Sequence, residues 1–164
     1  RQSRCVGRRP GPLCDALMRT LLFFMLMGGH ATLAKTPITV PGWPKLPYPF
    51  STALLSKSGM LYISGMQGVD FSKSPPALVP GGITEQTQQT LSNILAVVKA
   101  ASGSMNDILE CTVLLADLKD FKAMNTVYAT FFTDGAQPAR VALEAALAGG
   151  ALVEIKCTGE ISKQ

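Results

Sequence analysis

The chain has 164 residues, enough for one domain of ordinary size with a modest buried core. Hydrophobic residues at 47% and charged residues at 16% exclude a disordered chain. The net charge of +4 does not signal nucleic-acid binding. Residues 1–34 carry Arg1, Arg4, Arg8, Arg9 and Arg19 against one acid, Asp15, which leaves ten basic and ten acidic residues in 35–164. A formally neutral body lacks the basic stripe that a phosphate backbone requires.

From Met18 the sequence runs MRTLLFFMLMGGHATLAK: one arginine, an apolar run from Leu21 to Met27, then small residues ending at Ala31 or Ala34. This layout predicts an export signal over 18–34 and hence a secreted or periplasmic protein, the alternative being a mitochondrial or cytoplasmic one. The apolar run is too short to span a bilayer, so no stable membrane anchor is expected. Residues 1–17 hold no methionine and read as upstream sequence outside the native protein, leaving one domain over 35–164.

Prolines 37, 41, 44, 47 and 49 predict an extended arm over 37–50, because each disfavours helix for itself and its predecessor. Strands are expected at 51–56 and 60–66, joined by a turn at Lys57-Ser58-Gly59, with a loop over 67–82. Thr84 is the expected N-cap of a helix running to Ala101, with Thr87, Leu91, Ile94, Leu95, Val98 and Ala101 on one face and Gly103 closing it. A buried strand at 108–115 precedes a second helix capped by Asp117 or Asp120. Its stripe of Phe121, Met124, Tyr128 and Phe131 is expected to be core. Residues 137–160 read as two strands joined through Gly149-Gly150, a hairpin with Arg140 at its entry and Glu154 within an otherwise apolar strand.

Strand, strand, helix, strand, helix, strand, strand is the pattern of an α+β domain: a two-layer mixed sheet with both helices on one face. Leu114, Val141, Leu143, Val153 and Ile155 exceed what two helices can cover, so the other face is expected to drive association. Cys111 and Cys157 fall in strands; buried free thiols are the expectation, with a disulfide as the alternative. His30 is the only histidine and lies in the leader, which excludes Ser-His or Cys-His nucleophiles and leaves no metal site of the usual kind.

Arg140 offers a rigid fork of donors matched to a carboxylate, although a structural ion pair with Glu144 or Glu154 would use it equally well. Glu154 could act as a base or place a water. Pro138-Ala139-Arg140, a strand, a turn and Val153-Glu154-Ile155 together resemble the closing signature of the Rid (YjgF-type) family of reactive-intermediate deaminases. Tyr62-Ile63-Ser64-Gly65, Thr87 to Ile94, Val113 to Leu118 and Phe121 to Tyr128 follow in that family's order, so the resemblance covers roughly 37–161. It implies a chorismate-mutase-like homotrimer with a cleft at each subunit boundary. It also implies cofactor-free hydrolysis of short 2-enamino or 2-imino acids to 2-keto acids and ammonia. By the same resemblance Arg140 would grip the substrate carboxylate and Glu154 would place the water, with Ser64, Gly65, Phe50 and Asn125 lining the cleft.

The chain departs from the pattern at Phe50, where a tyrosine is usual, at Ala142, where a cysteine is common, and at Lys156, where glutamate is frequent. The first two thin the polar lining. A non-catalytic trimer that binds small carboxylates is therefore the alternative function, and a ribonuclease or translation inhibitor a more distant one.

Overall fold

Seven strands form the main sheet of the computed structural model, which describes residues 35–45, 47–132, 135 and 137–162. The expected export signal at 18–34 and the upstream stretch 1–17 lie outside the described residues. In chain order the elements are β1 (Lys35–Ile38), β2 (Ala53–Ser56), β3 (Met60–Ile63), β4 (Met66–Gln67), β5 (Val69–Asp70), β6 (Ala77–Leu78), α1 (Ile83–Ala100), β7 (Ile108–Leu115), α2 (Phe121–Tyr128), β8 (Ala139–Glu144) and β9 (Val153–Glu160). The main sheet runs β1-β2-β3-β9-β7-β8, with β4 also beside β9. Only β7 and β8 pair in parallel; the other pairs are antiparallel. This is the expected α+β class, and both helices pack on one face.

Alternation decides which side chains that face buries. Cys111, Val113 and Leu115 of β7 and Val153, Ile155 and Cys157 of β9 sit beneath the helices together with Leu61 and Ile63. Leu91, Ile94, Val97 and Val98 of α1 and Met124 of α2 close the core from above. The opposite sheet face carries Tyr62, Val141 and Leu143, which are exposed, with Leu114 half-buried among them. Val153 and Ile155 therefore belong to the helix-covered core and not, as expected, to the bare face.

The strands of residues 137–160 do not form a hairpin. β7 lies between them: β8 returns parallel to β7 after the α2 crossover, and β9 fills the slot between β7 and β3. The connection crosses the end of β7, where Ala145 N–H donates to Leu115 O and Ala116 N–H donates to Leu152 O, at 2.9 and 3.0 Å. A connection of eight residues has the reach for this, whereas a two-residue turn would force neighbours.

Several local expectations also change. Residues 35–38, which overlap the start of the proline-rich arm, pair with β2 as an edge strand, where Pro37 costs no interior ladder bond. The loop at 67–82 contains the β5–β6 hairpin. Helix α1 is capped at Gly82, not Thr84, and the Glu85 carboxylate accepts from Gly82 N–H at 2.8 Å. Its end is a Schellman arrangement in which Gly103 N–H donates to Val98 O and Ser102 N–H to Lys99 O, with Ser102 in the left-handed region. Asp117 caps a 3₁₀ turn before α2, accepting from Lys119 N–H at 2.9 Å. Of the aromatic stripe, Met124 and Tyr128 are core but Phe121 is 39% exposed. Cys111 and Cys157 are bonded as a disulfide within the core rather than left as free thiols; they are direct cross-strand partners with Cα atoms 4.2 Å apart.

Candidate functional site

The chain breaks its strand at Ser64-Gly65, between β3 and β4, while β9 runs on unbroken beside both. That break opens a groove of about 660 Å³ whose lining includes Phe50, Ser64, Gly65, Gln67 and Glu154. Four of the six residues expected in the site thus come together. Ser64 is held on both sides of its peptide: its hydroxyl donates to Ser51 O at 2.7 Å and its N–H to Thr52 O at 3.0 Å. Phe50 is 62% exposed, and its ring lies parallel to that of Tyr48 at 5.3 Å.

Glu154 is held at one carboxylate oxygen and lies against Gly65 with the other. Oε2 accepts from Gln67 Nε2 at 2.8 Å, and the same amide donates to Ala148 O at 3.3 Å. Oε1 lies over the Cα of Gly65, where any Cβ would overlap it. The glycine's backbone is not in the left-handed region, so what it provides is room for the carboxylate, which any Cβ would push aside. Gln67 is a contributor that sequence reasoning missed. The available signal was its register, because Gln67 stands directly opposite Glu154 across the β4–β9 ladder.

Arg140 and Asn125 are not in this groove. Arg140 pairs in register with Cys111, whose side chain faces the helices. Its guanidinium accordingly lies over the Tyr128 ring at 4.5 Å and over the Phe121 ring at 5.7 Å from the centroid. Asn125 is half-buried on α2, four residues after Phe121 and three before Tyr128, in the same helical stripe. Glu154, three residues from Cys157 on β9, projects from the other side of the sheet. Arg140 and Glu154 of one chain therefore stand back to back.

Neither structural ion pair considered for Arg140 forms. The ion pairs among the described residues are Lys73–Asp70 and Lys119–Asp117, and Glu144 instead accepts from Leu118 N–H at 2.9 Å. The fork of Arg140 is exposed and carries no carboxylate among the described residues. Beneath it, burial pushes the Tyr128 phenol up to about 12, and the neighbouring guanidinium opposes that shift. The Tyr128 hydroxyl is buried and has no hydrogen-bond partner among the described residues. No group of three or more His, Cys, Asp or Glu side chains among the described residues is arranged to hold a metal ion.

Comparison with known proteins matches residues 44–161 to the family model of endoribonuclease L-PSP. The chain is 39% identical over 127 residues to the 2-iminobutanoate/2-iminopropanoate deaminase of Capra hircus, covering 77% of this chain and 90% of that one. It is 42% identical over 124 residues to a RutC family protein of Pyrococcus horikoshii, covering 74% and 94% respectively. Among solved structures, a protein of unknown function from the conserved Rid family of Yersinia pestis superposes with a TM-score of 0.72 at 32% identity, over 78% of this chain and all of that one. With the family model spanning most of the described residues and the fold shared over more than three quarters of the chain, the chain belongs to the endoribonuclease L-PSP family, the YjgF or Rid proteins.

Proposed function

We propose that the protein hydrolyses reactive 2-imino and 2-enamino acids to 2-keto acids and ammonia, in a site completed by two copies of the chain. The observation that carries this reading is the fork of Arg140, which lies over the Tyr128 ring at 4.5 Å and is paired with no acid among the described residues. A guanidinium held this way is preorganised for a carboxylate from outside the subunit. The deaminase name of relatives near 40% identity supports the same reaction class.

Glu154 supplies the second half. Glu154 lines the groove while Gln67 holds its Oε2, so the carboxylate can orient a water and take one of its protons. Hydroxide adds to the C=N carbon and the imine nitrogen takes up a proton. The carbinolamine then collapses to a C=O bond and releases ammonia. An enamine enters the same sequence after protonation at C3. The imine is already electrophilic, so orientation and charge are the protein's main contributions. Because the two halves lie on opposite sides of one sheet, Arg140 of one copy has to meet Glu154 of another. The homotrimer expected from the resemblance would provide such a meeting.

The test is to generate 2-aminoacrylate in situ and follow ammonia and keto acid. Arg140→Ala is expected to lower kcat/KM by roughly 10²–10³-fold, as for loss of a charge clamp. Equal rates for variant and wild type would defeat the proposal. The alternative of a non-catalytic carboxylate binder draws on Phe50, which lines the groove without a hydroxyl. Stabilisation by small carboxylates without turnover would select it.

A further inference from the structure

The deaminase reading uses the polar floor of the groove but not its rim. Tyr48 and Phe50 are 55% and 62% exposed, and their rings are within 7° of parallel. Val69, Phe71 and Pro76 also line the groove, and Phe71 is stacked at 4.0 Å on the half-buried ring of Trp43. Contiguous exposed aromatic surface beside a concave site marks a place where a ligand is covered. The polar groups are already engaged in part, since Ser64 Oγ donates to Ser51 O and Glu154 Oε2 accepts from Gln67. The space, about 660 Å³, falls within the range of about 300–1,000 Å³ typical of clefts that enclose drug-sized ligands. A methyl or ethyl side chain leaves most of such a wall unused.

We propose that this rim is a subsite for a large apolar side chain, and that the preferred substrates are 2-imino acids bearing an aromatic or bulky aliphatic group. The inference rests on the deaminase reading for its reaction, but the subsite can be tested without turnover. A flat ring laid between aromatic walls gains area burial and offset stacking, while the imine and carboxylate stay at the polar end.

The experiment uses the full chain in its assembled state. Imines are released by an amino-acid oxidase from alanine, leucine and phenylalanine, with semicarbazide competing for them. The phenyl-bearing imine is expected to exceed the methyl-bearing one in kcat/KM by roughly ten-fold or more, the scale on which apolar pockets discriminate. Tyr48→Ala and Phe71→Ala are expected to shrink that ratio to roughly three-fold or less. Equal or reversed preference in the wild type overturns the proposal, as does a ratio the variants leave intact. Light scattering on the same samples separates one further case. If the variants dissociate the assembly and the ratio survives, the rim seats a second copy and the proposal is overturned. Should the wild type turn over no imine, the deaminase reading fails alone, and thermal shifts with phenylpyruvate and pyruvate decide the subsite. Stronger stabilisation by phenylpyruvate upholds it, and equal shifts reject it.

Discussion

Gly65 owes its place to the carboxylate opposite. A side chain there would overlap Glu154 Oε1 and come within 2.8 Å of its Cδ, so Gly65→Ala has to displace the carboxylate rather than merely crowd it. Misplacement by about an ångström can cost on the order of 10² in rate, so kcat is expected to fall by about that factor. Because Glu154 is a flexible side chain at a groove, the melting temperature should change little; a collapse of the fold would contradict this account. Tyr128 presents the reverse case. Its buried hydroxyl has no partner among the described residues, so Tyr128→Phe is expected to be neutral or stabilising by up to about 1 kcal/mol at pH 7. Its pH dependence is also directional. Burial raises the phenol to about 12, so the folded state keeps the proton between pH 10 and 12 while the unfolded chain releases it. Stability from this group is full below pH 10 and is lost as pH rises towards 12, by on the order of 1–2 kcal/mol with solvent screening included. Urea unfolding of wild type and Tyr128→Phe at pH 7 and 11 should show that extra loss in the wild type alone.

Among the elements, what could be read in advance was whatever local periodicity controls. The apolar face of α1 follows from spacing except that Val97 is buried and Leu95 only half-buried, and the stripe of α2 follows apart from Phe121, whereas β7, expected to be buried, alternates and leaves Leu109 exposed. Partner choice is non-local, and there the pattern misled. The alternation on either side of Gly149-Gly150 suits two strands without saying that β7 separates them. The same non-locality hid the covalent link. Cys111 and Cys157 are 46 residues apart, and only the β7–β9 register puts them opposite each other. The site divides along this line. Ser64, Gly65, Phe50 and Glu154 converge because two adjoining ladders bring them together, whereas Gln67, with no local signal, became visible only in register. The disulfide closes a long loop, so replacing both cysteines by alanine is expected to cost about 2–4 kcal/mol, read as a lower urea midpoint with a steeper slope because the unfolded chain is no longer cross-linked. An unchanged midpoint would mean the bond contributes nothing to the fold.

For the molecule as a whole, the decisive relation is that Arg140 and Glu154 project from opposite faces of one sheet. If sites form between copies, two inactive variants should complement each other. Arg140→Ala and Glu154→Gln, unfolded together and refolded at equal amounts, would leave about a quarter of the shared sites with both native residues, as expected for random cyclic assembly. Recovery of about a quarter of wild-type activity from two dead parents is the expected result. No recovery in verified mixed assemblies would place both residues in one chain's own site and contradict the geometry. The bare face around Tyr62, Val141 and Leu143 would supply apolar surface for that association.

Back-to-back placement has a cost and a use. On the proposed reading, a newly made copy holds Arg140 and Glu154 on opposite faces of its sheet, where no single molecule would engage both. Catalysis in a site shared between copies would be a property of the population: while copies are scarce, output would climb faster than abundance, becoming proportional once encounter is complete. A cell could regulate such a protein simply by how much of it is present.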